Sequence, residues 1–423
     1  MVWYIQAAER AYERDDHASC GALATKALAC EPSGESLGVL LAMDGDARVW
    51  QWDWKRAFSD FEQAIALLEP GSNWWCRSVQ GQGTLIAYRG TTDNDLVGLC
   101  QQFMSITPLP NAELAYASCA ANIASGCTQV GLTELGRTLM QLAEAVIPTD
   151  DLRFPSVAAW RRLVYCTLHR HTHDDLAAQL QAAQDAVRLY LEGGATDMMV
   201  GVARDVLGEV LCRVGEIQPG IELLHDAIAG AQRRGLAYLV THARQCLANS
   251  LIIAGEFSQA AEVAQALIAT AGITAGFQAM ARHVIAQSCL DAGDLPTALA
   301  EARTAIELSP HTPIRRLQMR ATLVRILQQI GQLTEATATA DAALEDLASY
   351  DGGGYAELAL LLAAAHAFAA AQEPERAKAV IARARDKLLS DAEKFSDITA
   401  RHRFLTAVPL HREISQFAGR LLA

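Results

Sequence analysis

Hydrophobic residues recur in step with four glycines in the middle of the chain. The glycines are Gly215, Gly255, Gly293 and Gly331, which lie 40, 38 and 38 residues apart. One apolar residue lies eight positions before each glycine and another lies four before it: Leu207 and Leu211, Leu247 and Leu251, Ile285 and Cys289, Leu323 and Leu327. Because positions four apart share one face of an α-helix, the pattern predicts a helix with an apolar stripe ahead of each glycine.

Small residues at fixed distances from each glycine predict a second helix that packs closely on the first. Seven positions before the glycines lie Gly208, Ala248, Ala286 and Val324, and five positions after them lie Gly220, Ala260, Ala298 and Ala336. The glycine suits the end of the first helix, where a left-handed backbone is often needed. A repeat of this kind predicts stacked helical hairpins, because one hairpin cannot bury its apolar face alone.

The same phase predicts weaker repeats in the rest of the chain. Turns are expected near Asp15, near Trp52, and at 90–93, 126–128, 171–173 and 372–374, and an amphipathic segment at 412–422 is expected to cap the end. We therefore predict an all-α fold, a right-handed superhelical solenoid of about ten antiparallel hairpins. It is expected to form a single domain over 1–423, with degenerate repeats over 1–200, the clearest repeats over 201–345, and the last repeat and a C-terminal cap over 346–423.

One segment of the clearest repeats resembles a known family. Gly293-Asp294-Leu295-Pro296-Thr297-Ala298, followed by Ala305 and by Ser309-Pro310, resembles the second-helix pattern of tetratricopeptide repeats, and Leu28-Ala29-Cys30-Glu31-Pro32 is similar. The period here is longer than the family's, which is about 34 residues. Long alanine-rich hairpins also resemble the helical tails of bacterial signalling proteins, among them transcription activators with a nucleotide-binding switch and serine/threonine kinases. The resemblance implies a regulatory module that binds a partner or an effector.

Charge and hydropathy exclude several classes of partner. The formal net charge is −13 and no basic run is present, so duplex DNA or RNA would be repelled. The longest apolar runs, such as 358–371, are shorter than the roughly 20 residues of a membrane span. The ten cysteines are scattered without a CxxC pair, which is typical of reduced thiols in a cytoplasmic protein. The abrupt start at Met1-Val2-Trp3-Tyr4 suggests a piece cut from a longer protein, and a free-standing protein is the alternative.

A column of arginines, the arginine ladder, is the sharpest candidate for a binding site. Arg204, Arg244, Arg282 and Arg320 all lie 11 residues before a turn glycine. Identical placement on consecutive first helices would stack their guanidinium groups, which bind carboxylates and other anions well. The alternative is structural: each stem packs on its own hairpin while its head pairs with a neighbouring acid.

The family resemblance also implies a concave groove lined by the first helices, at positions 13, 10 and 6 before each glycine. Those positions hold Val202, Asp205 and Glu209; His242, Gln245 and Asn249; Met280, His283 and Gln287; and Gln318, Ala321 and Arg325. A wall rich in His, Gln, Asn and Arg suits hydrogen bonding to a polypeptide backbone or to hydroxyl groups. The alternative is an ordinary solvated face. The predicted binding residues are the four ladder arginines with His242, Gln245, Asn249, His283, Gln287 and Arg325.

Other chemistry is weakly represented. The run His-x-His-x-His-Asp-Asp at 169–175 has metal-ligating residue types, but without a partner ligand at known spacing it is more typical of a polar loop. Five of the seven tryptophans lie within 50–75, where they either anchor a partner or fill gaps between helices. No hydrolase, kinase, metalloprotease or phosphate-loop motif is present. We therefore predict no catalytic residue, no metal and no cofactor.

Three functions are compatible with these observations. The preferred one is a non-catalytic scaffold that binds a peptide or a partner protein in the groove, as a regulatory part of a bacterial signalling protein. The second is a sensor whose groove takes a small-molecule or peptide effector and changes its superhelical pitch to control an attached kinase or switch ATPase. The third is an enzyme with an unrecognised site. None of them calls for nucleic acid or a membrane.

Overall fold

A computed structural model describes residues 2–89, 93–148, 155–169, 175–270, 272–309, 312–348 and 353–422. Within these ranges the chain forms 22 α-helices and no β-strand. The first ten are α1 (Val2–Tyr12), α2 (His17–Leu28), α3 (Gly34–Trp50), α4 (Trp54–Leu67), α5 (Asn73–Arg89), α6 (Asp93–Met104), α7 (Glu113–Gln129), α8 (Thr133–Val146), α9 (Pro155–His169) and α10 (Leu176–Glu192). The predicted all-α class is thus confirmed.

The remaining twelve helices include the clearest repeats. They are α11 (Asp197–Arg213), α12 (Ile217–Arg233), α13 (Ala237–Ala254), α14 (Phe257–Ile268), α15 (Ala275–Asp291), α16 (Leu295–Glu307), α17 (Pro313–Gln329), α18 (Leu333–Ala348), α19 (Gly354–Ala370), α20 (Pro374–Glu393), α21 (Ile398–Ala407) and α22 (Pro409–Leu421). In pairs, α1/α2 to α19/α20 are the first and second helices of ten successive hairpins. The helix that contains the predicted cap begins at Pro409, three residues earlier than expected.

Most of the predicted turns are confirmed. The four repeat glycines follow α11, α13, α15 and α17 and have φ of 90°, 84°, 79° and 79°, a left-handed backbone that favours glycine. Asp15, Trp52 and Gln372 also have positive φ between helices. The turn predicted at 126–128 is wrong, because these residues lie inside α7 and the turn falls at Gly131. The turns predicted at 90–93 and 171–173 fall mainly or wholly outside the described residues.

The small residues at fixed distances from the turn glycines let the two helices of a hairpin touch. A Cβ added to Gly220 would lie 2.5 Å from both the carbonyl oxygen of Gly208 and Sγ of Cys212. Ala260, Ala298 and Ala336, which occupy the same position in later hairpins, are completely buried. The close packing expected from the sequence is therefore present in the repeats.

The chain divides into two compact units. Unit 1 comprises Met1–Val164, Asp185–Val202 and Ala229–Val240, and unit 2 comprises Tyr165–Gln184, Ala203–Ile228 and Thr241–Ala423. A single domain over 1–423 stays a prediction. No helix among the described residues is both long and apolar enough to cross a membrane.

The five tryptophans within 50–75 pack against other aromatic rings of unit 1. Trp52 stacks on Trp54 with ring centroids 4.8 Å apart, and Trp50 meets Tyr238 edge-on at 5.7 Å. Trp75 is completely buried. These contacts favour helix packing over partner anchoring for this group of aromatic residues.

Two large apolar clusters lie among the described residues of unit 2. The larger one runs through α15 to α20 and includes Phe368. The other joins Leu176 and Val210 to Phe395, Phe404 and Ile414, so it ties α10 and α11 to the closing helices. The predicted binding residues all lie in unit 2, on α11, α13, α15 and α17.

Candidate functional site

Three polar residues of unit 2 lie ten positions before their turn glycines and are almost fully buried. This buried row consists of Asp205, Gln245 and His283, with 1%, 2% and 5% of their surfaces exposed. They were expected on an open groove wall. Their burial requires hydrogen-bond partners from neighbouring helices.

The first helices meet with a regular offset. Asp205 Oδ2 on α11 lies 2.6 Å from Nδ1 of His242 on α13, and His283 on α15 lies within 2.9 Å of Oγ1 of Thr322 on α17. His242 lies 13 residues before its turn glycine and Thr322 lies nine before its own. Each of these two buried-row residues therefore contacts the next first helix along the chain. The contacted face of that helix carries the residues that lie 13 and nine positions before its turn glycine.

Gln245 shows what happens where that face is apolar. The corresponding positions on α15 hold Met280 and Val284, which supply no strong hydrogen-bonding group. Gln245 donates from Nε2 to Oδ1 of Asn249 on its own helix at 3.2 Å. Its Oε1 atom is buried and has no partner among the described residues. Oε1 of Gln245 is therefore a buried hydrogen-bond acceptor without a donor among the described residues.

His283 is held neutral by its surroundings. Burial lowers the pKa of its imidazole from 6.5 to about 4, because the charged form loses its hydration in the interior. The contact to Thr322 joins Nε2 to a hydroxyl that can donate or accept. His283 is therefore a neutral hydrogen-bonding group at neutral pH.

A cluster of three side chains that the sequence did not reveal lies beside the buried row. Asp205 on α11 and His242 and Cys246 on α13 place one ligating atom each within 4.8 Å of one another. Sγ of Cys246 is 3.9 Å from Nδ1 of His242. Asp205 Oδ1 is buried and has no hydrogen-bond partner among the described residues.

Residues six positions before the glycines form a more accessible row. This outer row consists of Asn249, Gln287 and Arg325, on α13, α15 and α17, and all three are half-buried. Glu209 occupies the same position on α11 but is buried. Two side-chain amides and one guanidinium thus follow one another on consecutive first helices.

Arg325 contributes positive charge where α17, α19 and α22 approach. The pKa of the Glu413 carboxyl is lowered, first by its hydrogen bond to His366 and also by the charge of Arg325. Burial raises the pKa of Tyr355 to about 12, although the charges of Arg325 and Arg213 oppose that rise. The outer row therefore ends where the charge of Arg325 and the carboxyl of Glu413 act on one another.

Two arginines of the ladder pair with acids of their own hairpins. Arg282 Nη1 lies 2.8 Å from Oε2 of Glu301 on α16, and Arg320 forms an ion pair with Asp346 on α18. Arg204 and Arg244 are half-buried. These two ion pairs are what the structural alternative predicts, in which each arginine pairs with a neighbouring acid. A binding role for the ladder stays a prediction.

The histidine run contributes one described residue. His169 lies at the end of α9 and its ring is 4.1 Å from that of Tyr165. His171 and His173 lie outside the described residues, so the run as a whole stays a sequence-based hypothesis.

The chain is similar to several solved structures. A Rap protein complexed with competence and sporulation factor aligns with a TM-score of 0.53 at 12% identity, over 82% of this chain and 99% of that one. The apo form of RapI gives a TM-score of 0.43 at 11% identity, over 82% and 97%. The APC/C hetero-tetramer Cut9–Hcn1 gives 0.38 at 12% identity, over 99% and 90%. No protein-family model and no curated protein matches the chain. The fold is a helical-repeat solenoid of the tetratricopeptide kind.

Proposed function

We propose that the outer row of unit 2 is the docking surface for an extended peptide, or for a peptide segment of a partner protein. The observation that carries this proposal is the repetition itself. Asn249, Gln287 and Arg325 occupy one repeat position on three consecutive first helices and stay partly accessible, while the buried row beneath them is enclosed. The chain would act by binding, as a cytoplasmic regulatory module without a catalytic step.

The residue types suit a polypeptide ligand. A side-chain amide carries both a donor and an acceptor, so Asn249 and Gln287 can each match a backbone N–H and a C=O. An extended segment offers such groups along its whole length. Arg325 adds a fixed cation for a carboxylate of the ligand.

The comparison of folds gives limited support in the same direction. The Rap protein with a similar fold is complexed with competence and sporulation factor, so this architecture accommodates a signalling factor in that protein. At 12% identity the comparison carries over the fold alone. The placement of the docking surface on the outer row rests on the residues of this chain.

The proposal is tested with the full chain and a displayed library of linear peptides. Peptides retained by the wild-type chain are synthesised, and their affinities are measured by fluorescence anisotropy. We expect Asn249→Ala and Gln287→Ala to weaken binding about 2- to 13-fold each, because each removes at least one hydrogen bond and a hydrogen bond contributes about 0.5–1.5 kcal/mol. Gln265→Ala is the matched control, because Gln265 is an exposed amide on the second helix α14.

Two results would contradict the outer-row surface. The first is a selection that returns no peptide retained by the wild-type chain. The second is a set of peptides that bind the double variant Asn249→Ala/Gln287→Ala as tightly as the wild type. In the second case the peptide site lies elsewhere on the chain.

A further inference from the structure

The cluster of Asp205, His242 and Cys246 combines three kinds of metal-ligating atom at one point. A carboxylate oxygen, an imidazole nitrogen and a thiol sulfur converge from two adjacent first helices. His242 and Cys246 are four residues apart on α13, so both face the same side of that helix. Asp205 and Cys246 are buried, and the His242 side chain is 23% exposed.

We propose that Asp205, His242 and Cys246 form a zinc site between α11 and α13. Nitrogen and sulfur ligands favour zinc over calcium or magnesium, which prefer oxygen. Three protein ligands leave the fourth tetrahedral position for a water molecule or another small ligand. The proposal is independent of peptide docking on the outer row.

The distances in the cluster are close to those that zinc requires. Zinc lies about 2.0–2.2 Å from nitrogen and oxygen and about 2.3 Å from sulfur, so tetrahedral ligands are about 3.3 Å (N to O) and about 3.6 Å (N to S) apart. The corresponding separations are 2.6 Å for Asp205 Oδ2 to His242 Nδ1 and 3.9 Å for His242 Nδ1 to Cys246 Sγ. These two separations would therefore have to change by about 0.7 Å and about 0.3 Å to accommodate the ion.

The second oxygen of Asp205 supports the same assignment. Oδ1 is buried and has no hydrogen-bond partner among the described residues, and an unmatched buried acceptor on a charged group is costly. A dication next to this carboxylate would lower that cost. Binding requires the Cys246 thiol to release its proton to solvent and the His242 imidazole to carry its proton on Nε2, because Nδ1 becomes the ligand.

Cobalt(II) is the first probe, because it replaces zinc in such sites and its thiolate complexes absorb in the near ultraviolet. The metal-free full chain is titrated with Co²⁺, and Zn²⁺ is then added in competition. We expect one equivalent of Co²⁺, a thiolate-to-cobalt absorption band, and its loss on addition of Zn²⁺. Zinc should also raise the midpoint of thermal unfolding, since it binds the native chain.

Single substitutions locate the site. Cys246→Ser is nearly isosteric and should abolish the absorption band. Asp205→Asn and His242→Gln should each weaken zinc binding by at least about 100-fold. Loss of a residue that only supports a ligand weakens metal binding by up to about 100-fold, and loss of the ligand itself should cost at least as much. Cys289→Ser is the control, because Cys289 lies half-buried on the neighbouring first helix and outside the cluster. Circular dichroism of each metal-free variant checks that it is folded.

The proposal has clear contrary outcomes. Substoichiometric cobalt without a thiolate band in the folded wild-type chain would overturn it. So would a band that persists unchanged in Cys246→Ser or disappears in Cys289→Ser, because the sulfur ligand would then be a different cysteine.

Discussion

Gly208 and Gly220 bring the backbones of α11 and α12 into direct contact. A Cβ on Gly208 would lie 2.8 Å from the carbonyl oxygen of Gly220, and a Cβ on Gly220 would lie 2.5 Å from that of Gly208. A side chain at either position would therefore overlap the backbone carbonyl oxygen of the other. The corresponding positions of the other three hairpins hold Ala248 and Ala260, Ala286 and Ala298, and Val324 and Ala336, so those hairpins accommodate side chains where this one does not.

Gly220→Ala should destabilise the protein. The added methyl group has no space, so we expect the free energy of unfolding to fall by about 1–3 kcal/mol, as for other overpacked positions. Urea denaturation measures the change. The matched control is Gly230→Ala in the same helix, where the nearest atom is the mobile end of Arg233 at 3.9 Å. That change should raise stability by up to about 1 kcal/mol, and a similar loss in both variants would contradict the close-contact explanation.

Substitution of the turn glycines Gly215 and Gly293 separates the energetic cost of a left-handed backbone from the cost of crowding. Both have positive φ, but a Cβ at Gly293 meets nothing within 4 Å, whereas one at Gly215 would lie 3.0 Å from the carbonyl oxygen of Arg403. Gly293→Ala should cost about 1 kcal/mol from the left-handed backbone alone. Gly215→Ala should cost clearly more in the same denaturation assay. Equal decreases in the free energy of unfolding would mean that α21 shifts to make room for the added methyl group at no energetic cost.

The hairpins could be predicted from the sequence because glycine spacing and apolar spacing agree. The prediction failed at 126–128, where glycine serves a different purpose. A Cβ on Gly126 would lie 2.9 Å from that of Ala87, so this glycine lets α7 approach α5, while the turn is made by Gly131 with a φ of 87°. A glycine needed for close approach and one needed for a turn look the same in a single sequence.

Acidification should destabilise the protein through His283. Its pKa is about 4 in the folded chain against 6.5 for an ordinary histidine, so between these values the unfolded state binds more protons. The free energy of unfolding should therefore fall as pH drops from about 6.5 to about 4, by at most about 1.4 kcal/mol per pH unit from this group.

Comparison of variants isolates this contribution. His283→Gln should show a shallower loss of stability between these pH values than the wild type, by urea denaturation at a series of pH values. His225→Gln is the control, because His225 is exposed on α12 and its replacement should leave the slope unchanged. A wild-type slope in His283→Gln would show that His283 does not carry the effect.

The pair of Arg282 and Glu301 tests the structural role of the ladder. Their side chains are 28% and 22% exposed, so a double-mutant cycle with alanine at both positions should give a coupling energy of about 0.2–1 kcal/mol. Arg244→Ala, which removes a half-buried side chain, should lower the free energy of unfolding by about 1 kcal/mol, the typical effect of a single substitution. A coupling energy of zero would show that the ion pair does not stabilise the fold.

The candidate site could be predicted only in part. Repeat phase placed Asn249, Gln287 and Arg325 in one row, because equal positions on consecutive helices align. It did not bring Asp205 together with Cys246, since they lie 10 and 9 residues before different glycines. Their meeting depends on how far one first helix is displaced along its neighbour, and side-chain packing sets that displacement.

The contact between Arg403 and Glu216 has a consequence for how unit 2 folds. Arg403 Nη2 donates to Oε1 of Glu216 at 2.6 Å across 187 residues of sequence. A simple repeat array can begin folding at any hairpin and extend from neighbour to neighbour. Here α21 reaches the turn between α11 and α12 only after the intervening hairpins are in place, and closing so long a loop is slow. Completion of unit 2 is therefore expected as a late, cooperative step, with the closing helices and the α11–α12 turn forming together.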